Sequence, residues 1–281
     1  MYLIDLRTKK IINHTESGLL FDTHCHLDFP SLHNDLATYL AKAKQAGVEA
    51  CIIPAVNESN WQVVSKLVKR YPSYLYAAFG YHPLFLPSDI QPAVQRLEQF
   101  MTHTEIGDVV AIGEIGLDRF AAVPFDSQLA IFQSQLSLAK SLSLPVIIHS
   151  RKTHSEVLKA LKQSNSSFSG VIHGFSGSYE QAKAFVDLGY KIGVGGTITY
   201  PRANKTRQAI QRLSMDDIVL ETDAPDMPVC GFQGQINHPA QLTHVVTTLC
   251  ELYQCERDEV AQRTWRSATA LFLSGQFFAG K

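Results

Sequence analysis

Apolar positions along the chain gather into eight short runs, and between the runs they recur at helical spacing. The runs are GLLFDTHCH (Gly18 to His26), ACIIPAV (Ala50 to Val56), LYAAFGYHP (Leu75 to Pro83) and VVAIGEIG (Val109 to Gly116), then PVIIHS (Pro145 to Ser150), GVIHGFSG (Gly170 to Gly177), YKIGVGG (Tyr190 to Gly196) and DIVLETDAP (Asp217 to Pro225). Amphipathic stretches fill the gaps. DLATYLAKAKQAG, NWQVVSKLVKRYP and SYEQAKAFVDLG end on glycine or proline as helices do, and PAVQRLEQFM, SQLAIFQSQLSLAK, HSEVLKALKQ, ANKTRQAIQRL and PAQLTHVVTTLCELY share the pattern. A last helix is expected from Arg257 to Leu273. Strands that are apolar on both faces, alternating with helices, require a parallel sheet covered by those helices. A (β/α)8 barrel of the TIM type fits best, with an open doubly wound sheet as the alternative. Against the open sheet, the first strand runs into HCHLDF and not into a glycine-rich phosphate loop. One domain over residues 1–281 is expected, with residues 1–20 as an N-terminal arm that is irregular or adds a short strand across the barrel floor.

Composition narrows the class. The 281 residues are 45% hydrophobic and 18% charged, enough for one large core and unlike a collagenous or disordered chain. Apolar runs such as CIIPAV are far shorter than the roughly 20 residues of a membrane-spanning helix, and the first twenty residues lack the apolar core and cleavage site of a secretory signal. A cytoplasmic protein is expected. Five cysteines with no C-x-x-C pair point to reduced thiols, against a disulfide framework or a thiolate zinc site. A formal net charge of -1 provides no general attraction to a polyanion, so any nucleic-acid contact must come from a local basic patch.

The eleven histidines change the picture through their positions. His24 and His26 end the first strand, Glu114 the fourth, His149 the fifth and Asp223 the eighth, while His173 sits late in the sixth. In a barrel the carboxyl ends of the strands converge on one mouth, where active sites are built. Alternation puts Asp22, His24 and His26 on one face. A single histidine in an apolar strand is ordinarily a hydrogen-bonded core residue. Imidazoles and carboxylates together at matching strand ends need compensation for their burial, which a pair of divalent cations supplies. Asp22 is then a further ligand or an acceptor that orients an imidazole. His82 follows the third strand, faces the same mouth and is expected to touch substrate. His154 is expected to flank a helix or line the site, His238 is undecided, and His14, His33, His103 and His244 receive no role.

FDTHCHLD, GYHP, GEIGLD, PVIIHSR, HGFSGS and ETDAP, in this order, resemble the TatD family of metal-dependent deoxyribonucleases, over Phe21 to Leu273. GYKIGVGGTITYPR and ETDAPDMP are most similar to its YjjV-like branch. The resemblance implies an amidohydrolase-type barrel that cleaves DNA phosphodiester bonds, in single strands or at ends, with two divalent metal ions. Carried over by position, His24, His26 and Asp223 hold one ion, His149 and His173 the other, and Glu114 bridges them; Glu114, Asp223 and His82 are the catalytic candidates. Imidazole-rich ligation favours zinc, manganese or iron over calcium, and the resemblance leaves magnesium possible. Arg151, Arg202, Lys205 and Arg207 are the expected phosphate contacts, with backbone donors from Ser176 and Gly177 at a helix N-terminus. Two departures bear on substrate preference: HSRKTH lacks the acidic residue many members carry after HSR, and Gly174 stands where many have cysteine. The alternatives are a hydrolase of a small ester, lactone or amide, and a non-catalytic metal-bound scaffold. No membrane contact and no obligate protein partner are expected.

Overall fold

The computed structural model describes residues 3–5, 10–12, 18–103, 108–164 and 169–274. Two short strands, β1 (Leu3–Asp5) and β2 (Lys10–Ile12), pair antiparallel with each other. They stand apart from the main sheet, so the arm carries strand structure without adding to the barrel. The main sheet is parallel. Its strands are β3 (Leu20–Asp22), β4 (Val48–Pro54), β5 (Leu75–Phe79), β6 (Val109–Asp118), β7 (Val146–Arg151), β8 (Gly170–Ile172), β9 (Tyr190–Val194) and β10 (Ile218–Leu220), each hydrogen-bonded to the next in sequence order. The helices between them are α1 (Pro30–His33) and α2 (Leu36–Gln45), α3 (Glu58–Arg70), α4 (Ile90–His103), α5 (Phe125–Ser141), α6 (His154–Gln163), α7 (Tyr179–Val186) and α8 (Asn204–Arg212). After β10 come α9 (Leu242–Tyr253) and α10 (Arg257–Phe272).

The ring closes at a seam. β3 and β10 end at Asp22 and Leu220, and pairing continues irregularly beyond them. Thr23 N–H donates to the Leu220 carbonyl (2.9 Å), Asp223 N–H to the His24 carbonyl (2.9 Å) and His26 N–H to the Ala224 carbonyl (2.7 Å). An open sheet would leave these groups unpaired, so the seam decides for the barrel. It also brings the two chain segments that carry His24, His26 and Asp223 side by side.

Alternation sorts the strand residues into two apolar clusters. Cys51, Ile53, Leu75 and Phe79 pack with helix residues such as Leu36, Leu40, Trp61 and Val64, forming the layer between sheet and helices. Phe21, Ile52, Tyr76, Val110, Ile147, Val171 and Val219 meet one another inside the ring, joined by Ala268, Leu271 and Phe272 of α10. Trp265 of α10 packs on Phe21 with ring centroids 5.7 Å apart, which covers the floor. Burial of such side chains, worth roughly 1.5–3 kcal/mol each, is the main stabilising contribution.

Several helix starts explain their own boundaries. Asn57 accepts the Ser59 N–H (2.9 Å) at the start of α3, and Asn60 donates from Nδ2 to Asp28 (2.7 Å), tying the segment after β3 to that helix. Ser178 and Gln181 form a reciprocal capping box on α7. That helix start is satisfied internally by its own cap, which removes the main reason to expect phosphate donors from Ser176 and Gly177.

Candidate metal centre

His24 and His26 lie just past β3, His82 just past β5, Glu114 within β6, His149 within β7, His173 just past β8 and Asp223 just past β10. All seven side chains meet at the mouth. The pairing register of β6 with β7 shifts between Ile112 and Ile115, the mark of a bulge that re-aims the intervening side chain. Gly116 has φ +144°, and a Cβ there would lie 2.0 Å from the His149 carbonyl oxygen. Only glycine lets β6 approach β7 this closely, and this approach sets Glu114 beside His149.

Glu114 is the hub, and its two oxygens face different partners. Oε2 lies 3.2 Å from His24 Nε2 and 3.7 Å from His26 Nε2. Oε1 lies 2.8 Å from His173 Nε2, 3.0 Å from His149 Nδ1 and 3.1 Å from His82 Nε2. Asp223 Oδ1 stands 3.5 Å from His24 Nε2 and 3.7 Å from His26 Nε2, and its residue occupies the left-handed region at φ +55°, which aspartate tolerates better than most. Among the described residues, donor atoms fall within 4.8 Å of one another in three groups: His24, His26 and Asp223; His24, Glu114 and His173; and His82, Glu114 and His149.

Hydrogen bonds on the outer ring nitrogens test whether this set suits a cation. His26 Nδ1 lies 3.1 Å from the Pro54 carbonyl oxygen, which only accepts, so Nδ1 carries the proton and Nε2 turns a bare lone pair inward. His149 Nε2 lies 2.9 Å from Asp118 Oδ2, which leaves Nδ1 as its atom facing into the cluster. His24 Nε2 and His26 Nε2 are 3.2 Å apart, and His149 Nδ1 and His173 Nε2 are also 3.2 Å apart. Lone pairs crowded in this way repel unless a cation or a proton lies between them. The donor set therefore fits divalent metal ions. His82 differs. Its Nδ1 accepts the Leu84 N–H (3.1 Å), so the neutral ring carries its proton on Nε2 and points it at Glu114.

Burial alone would raise the Glu114 carboxyl, but the charge on His173 and the hydrogen bond from His149 outweigh it and hold it well below the usual carboxylate range. Burial likewise disfavours charge on His173, yet Glu114 prevails and lifts it to about 10. His149 is raised despite burial by its bonds to Asp118 and Glu114. His24 and His82 are driven down by burial and stay neutral.

Of the sequence candidates, His24, His26, His82, Glu114, His149, His173 and Asp223 come together. Asp22 does not reach the cluster: its carboxylate accepts from Thr222 Oγ1 (2.6 Å), Thr222 N–H (3.0 Å) and His24 N–H (3.3 Å), stitching the seam. Neither role expected for it, ligand or ring acceptor, is what its contacts serve. Burial raises its carboxyl to about 7. Arg151 is exposed beside the mouth, 4.0 Å from Asp118 and stacked over the Phe120 ring at 4.5 Å. Arg202 and Lys205 are exposed, whereas Arg207 donates to the Ile198 carbonyl (2.5 Å) and braces the backbone instead of standing free for a phosphate. His154 opens α6 and packs against Phe175 and Phe185. His33 and His244 are exposed on helices, His238 precedes a 3-10 turn beside Tyr39, His103 closes α4, and His14 lies outside the described residues.

Two carboxylates escaped the sequence reading. Asp118 holds His149, and Glu221, buried against Gly193, lies 3.9 Å from His173 Nδ1 and accepts the Gly174 N–H (2.5 Å). Burial pushes Glu221 up to about 8. Their signal was present, since each is a second acid in a block, GEIGLD or LETDAP, that already holds a candidate ligand, Glu114 or Asp223.

Comparison with known proteins agrees with this geometry. Residues 21–273 match the family model described as TatD related DNase. The chain is 48% identical over 252 residues to YjjV of Escherichia coli (strain K12), described as an uncharacterized metal-dependent hydrolase, covering 89% of this chain and 96% of that one. An uncharacterized metal-dependent hydrolase of Haemophilus influenzae is 44% identical over 261 residues, covering 90% and 98%. The crystal structure of Escherichia coli YjjV, a TatD homologue, superposes with a TM-score of 0.85 at 48% identity over 90% of this chain and 98% of that one. The Escherichia coli phosphotriesterase homology protein, solved with phosphate in its active site, shares the fold at a TM-score of 0.65 and 16% identity, over 89% and 98%. With a buried cluster of imidazoles and carboxylates suited to metal at the mouth of the same barrel, the chain belongs to the TatD family of metal-dependent hydrolases.

Proposed function

We propose that the protein is a deoxyribonuclease that hydrolyses DNA phosphodiester bonds with two divalent metal ions, zinc or manganese, with magnesium compatible as the working ion. The observation that carries this reading is the division of Glu114, one oxygen toward His24 and His26 and the other toward His149 and His173. His24, His26 and Asp223 would hold one ion, His149 and His173 the other, and Glu114 would bridge them. When bound, such a pair supplies Lewis-acid polarisation of the phosphodiester and lowers the pKa of water.

The protein's own groups do the rest. His82 keeps a proton on Nε2, held there by the Leu84 N–H on Nδ1, and offers it to a phosphoryl or leaving oxygen. Asp223 has 19% of its side chain exposed against 3% for Glu114, which leaves its carboxylate open to the attacking water and suited to accept that proton. Asp118 and the Pro54 carbonyl orient His149 and His26. Arg151 and Arg202 stand on the rim to meet the flanking phosphates of a single strand or a strand end. Among the described residues no helix is long and apolar enough to cross a membrane. An exposed free thiol at Cys230 supports a reducing, cytoplasmic setting.

The test is incubation of metal-loaded protein with labelled single-stranded DNA and, in parallel, with simple aryl esters, in wild type and Glu114→Ala. DNA products from wild type, with metal and hydrolysis both lost in the variant, are expected. Ester turnover without DNA products would move the chain to small esters, lactones or amides. DNA binding without products, with both ions bound, would make it a scaffold. Undiminished metal content and hydrolysis in Glu114→Ala would remove the bridge.

A further inference from the structure

Among the described residues, every large apolar side chain that is notably exposed sits in a loop following a barrel strand: Leu84 and Phe85 after β5, Phe120 after β6, Met227 and Ile236 after β10. Around Met227, the loops after β9 and β10 form a cleft of about 420 Å³ lined by Thr197, Tyr200, Arg202, Ala203, Met227 and Pro228. Its size lies within the roughly 300–1,000 Å³ of ordinary ligand sites. The cleft is built and braced. Tyr200 Oη donates to the Pro228 carbonyl (2.6 Å), Cys230 N–H to Thr199 Oγ1 (2.8 Å), and Asn237 Nδ2 to the Asp226 and Met227 carbonyls (2.8 and 3.2 Å). A Cβ on Gly196 would lie 2.4 Å from the Met227 carbonyl oxygen, so the two loops touch backbone to backbone. Met227 is four residues past Asp223, which keeps their Cα atoms within about 15 Å at full extension.

The lining dictates what fits. Arg202 lies over the Tyr200 ring at 4.9 Å, Met227 adds a polarizable thioether, and no acid lines the space. A flat, uncharged ring stacks on such an aromatic and guanidinium surface, and the phosphate carried by its sugar meets the exposed Arg202. A base inside a duplex has both faces covered by its neighbours and cannot enter. We propose that this cleft is a stacking subsite for one unpaired nucleobase of the substrate strand, next to the phosphate at the metal cluster. The proposal rests on the nuclease reading and adds a specificity site to it.

Binding tests it apart from hydrolysis. Two end-labelled, phosphorothioate-linked probes of equal length, one oligodeoxyadenylate and one with abasic tetrahydrofuran units, are titrated with metal-loaded protein and followed by fluorescence anisotropy. Wild type is expected to prefer the base-bearing probe by about fivefold or more. Tyr200→Ala collapses that ratio toward one, Met227→Ala, at an exposed position, lowers it, and Tyr200→Phe, which keeps the ring and removes the bond to Pro228, retains it. Equal binding of both probes by wild type, or a preference untouched by Tyr200→Ala, overturns the subsite. Unmodified DNA is assayed on the same preparations. Cleavage without base preference sinks the subsite and leaves the nuclease reading, whereas base preference without cleavage does the reverse.

Discussion

The floor and the mouth of this barrel are built on the same eight strands and answer to opposite chemistry. Inside the floor, Phe21, Ile52, Tyr76, Ile147 and Val219 are buried against one another and against α10 in one apolar cluster. A few residues along, the same strands deliver imidazoles and acids that are nearly as buried, with His24 and Asp118 fully inaccessible. Burial stabilises at one end and creates a demand for cations at the other. A barrel can carry such a mouth because its floor and outer layer provide the stability that a cluster of buried charges does not.

Substitutions should separate the two ends. The largest effect is expected from Glu114→Gln, which keeps the shape and removes the charge shared by both histidine sets; hydrolysis should fall by about a thousandfold or more, as expected when several kcal/mol of transition-state stabilisation are lost. Steady-state kinetics at saturating metal reads this, and a loss under tenfold would break the assignment of Glu114 as hub. Ile52→Ala acts at the other end. It should cost about 2–5 kcal/mol of folding stability in denaturant melts, with metal stoichiometry kept. Loss of metal without loss of stability would dissolve the contrast.

Asp118→Asn sharpens the comparison within the mouth, because it weakens the hold on His149 Nε2–H and leaves the ligand in place. Metal affinity is expected to drop about 10–100-fold by competition with a chelating dye, while thermal unfolding of the metal-free protein changes little. A smaller effect concerns protons. His173 is raised to about 10 in the metal-free site, above the ordinary imidazole value, so at about pH 8 it still holds the proton that a metal must displace. Metal uptake there should release a proton, seen by calorimetry in buffers of different ionisation enthalpy, and apparent affinity should rise by up to about tenfold per pH unit until His173 titrates. Uptake with no release would mean that His173 is not a ligand.

Much of this was legible in the chain. His24, His26, Glu114, His149, His173 and Asp223 each stand at or near the end of an apolar run, and barrel topology then sends all of them to one mouth. Element order survived as expected, although β3, β8 and β10 are only three residues long and their candidate ligands lie on irregular continuations. Asp22 was misjudged because alternation holds only inside a regular strand, and β3 ends at that residue. Asp118 was missed because its importance comes from His149, 31 positions away.

Periodicity and residue chemistry are local properties, so the chain alone determined the alternation of strands and helices and the candidate ligands at the strand ends, while the seam between β3 and β10 settled the barrel. Hydrogen-bond partners are not local. Asp22 meets Thr222 across 200 positions, and only the closed ring brings them together. Tertiary structure alone therefore decided which nitrogen of His26 and His149 faces inward, how Glu114 divides its oxygens, and that Tyr200, Arg202 and Met227 share a cleft. The physical reason is that tautomer, carboxylate orientation and cavity shape depend on what the fold sets within a few ångströms, whatever the separation along the chain.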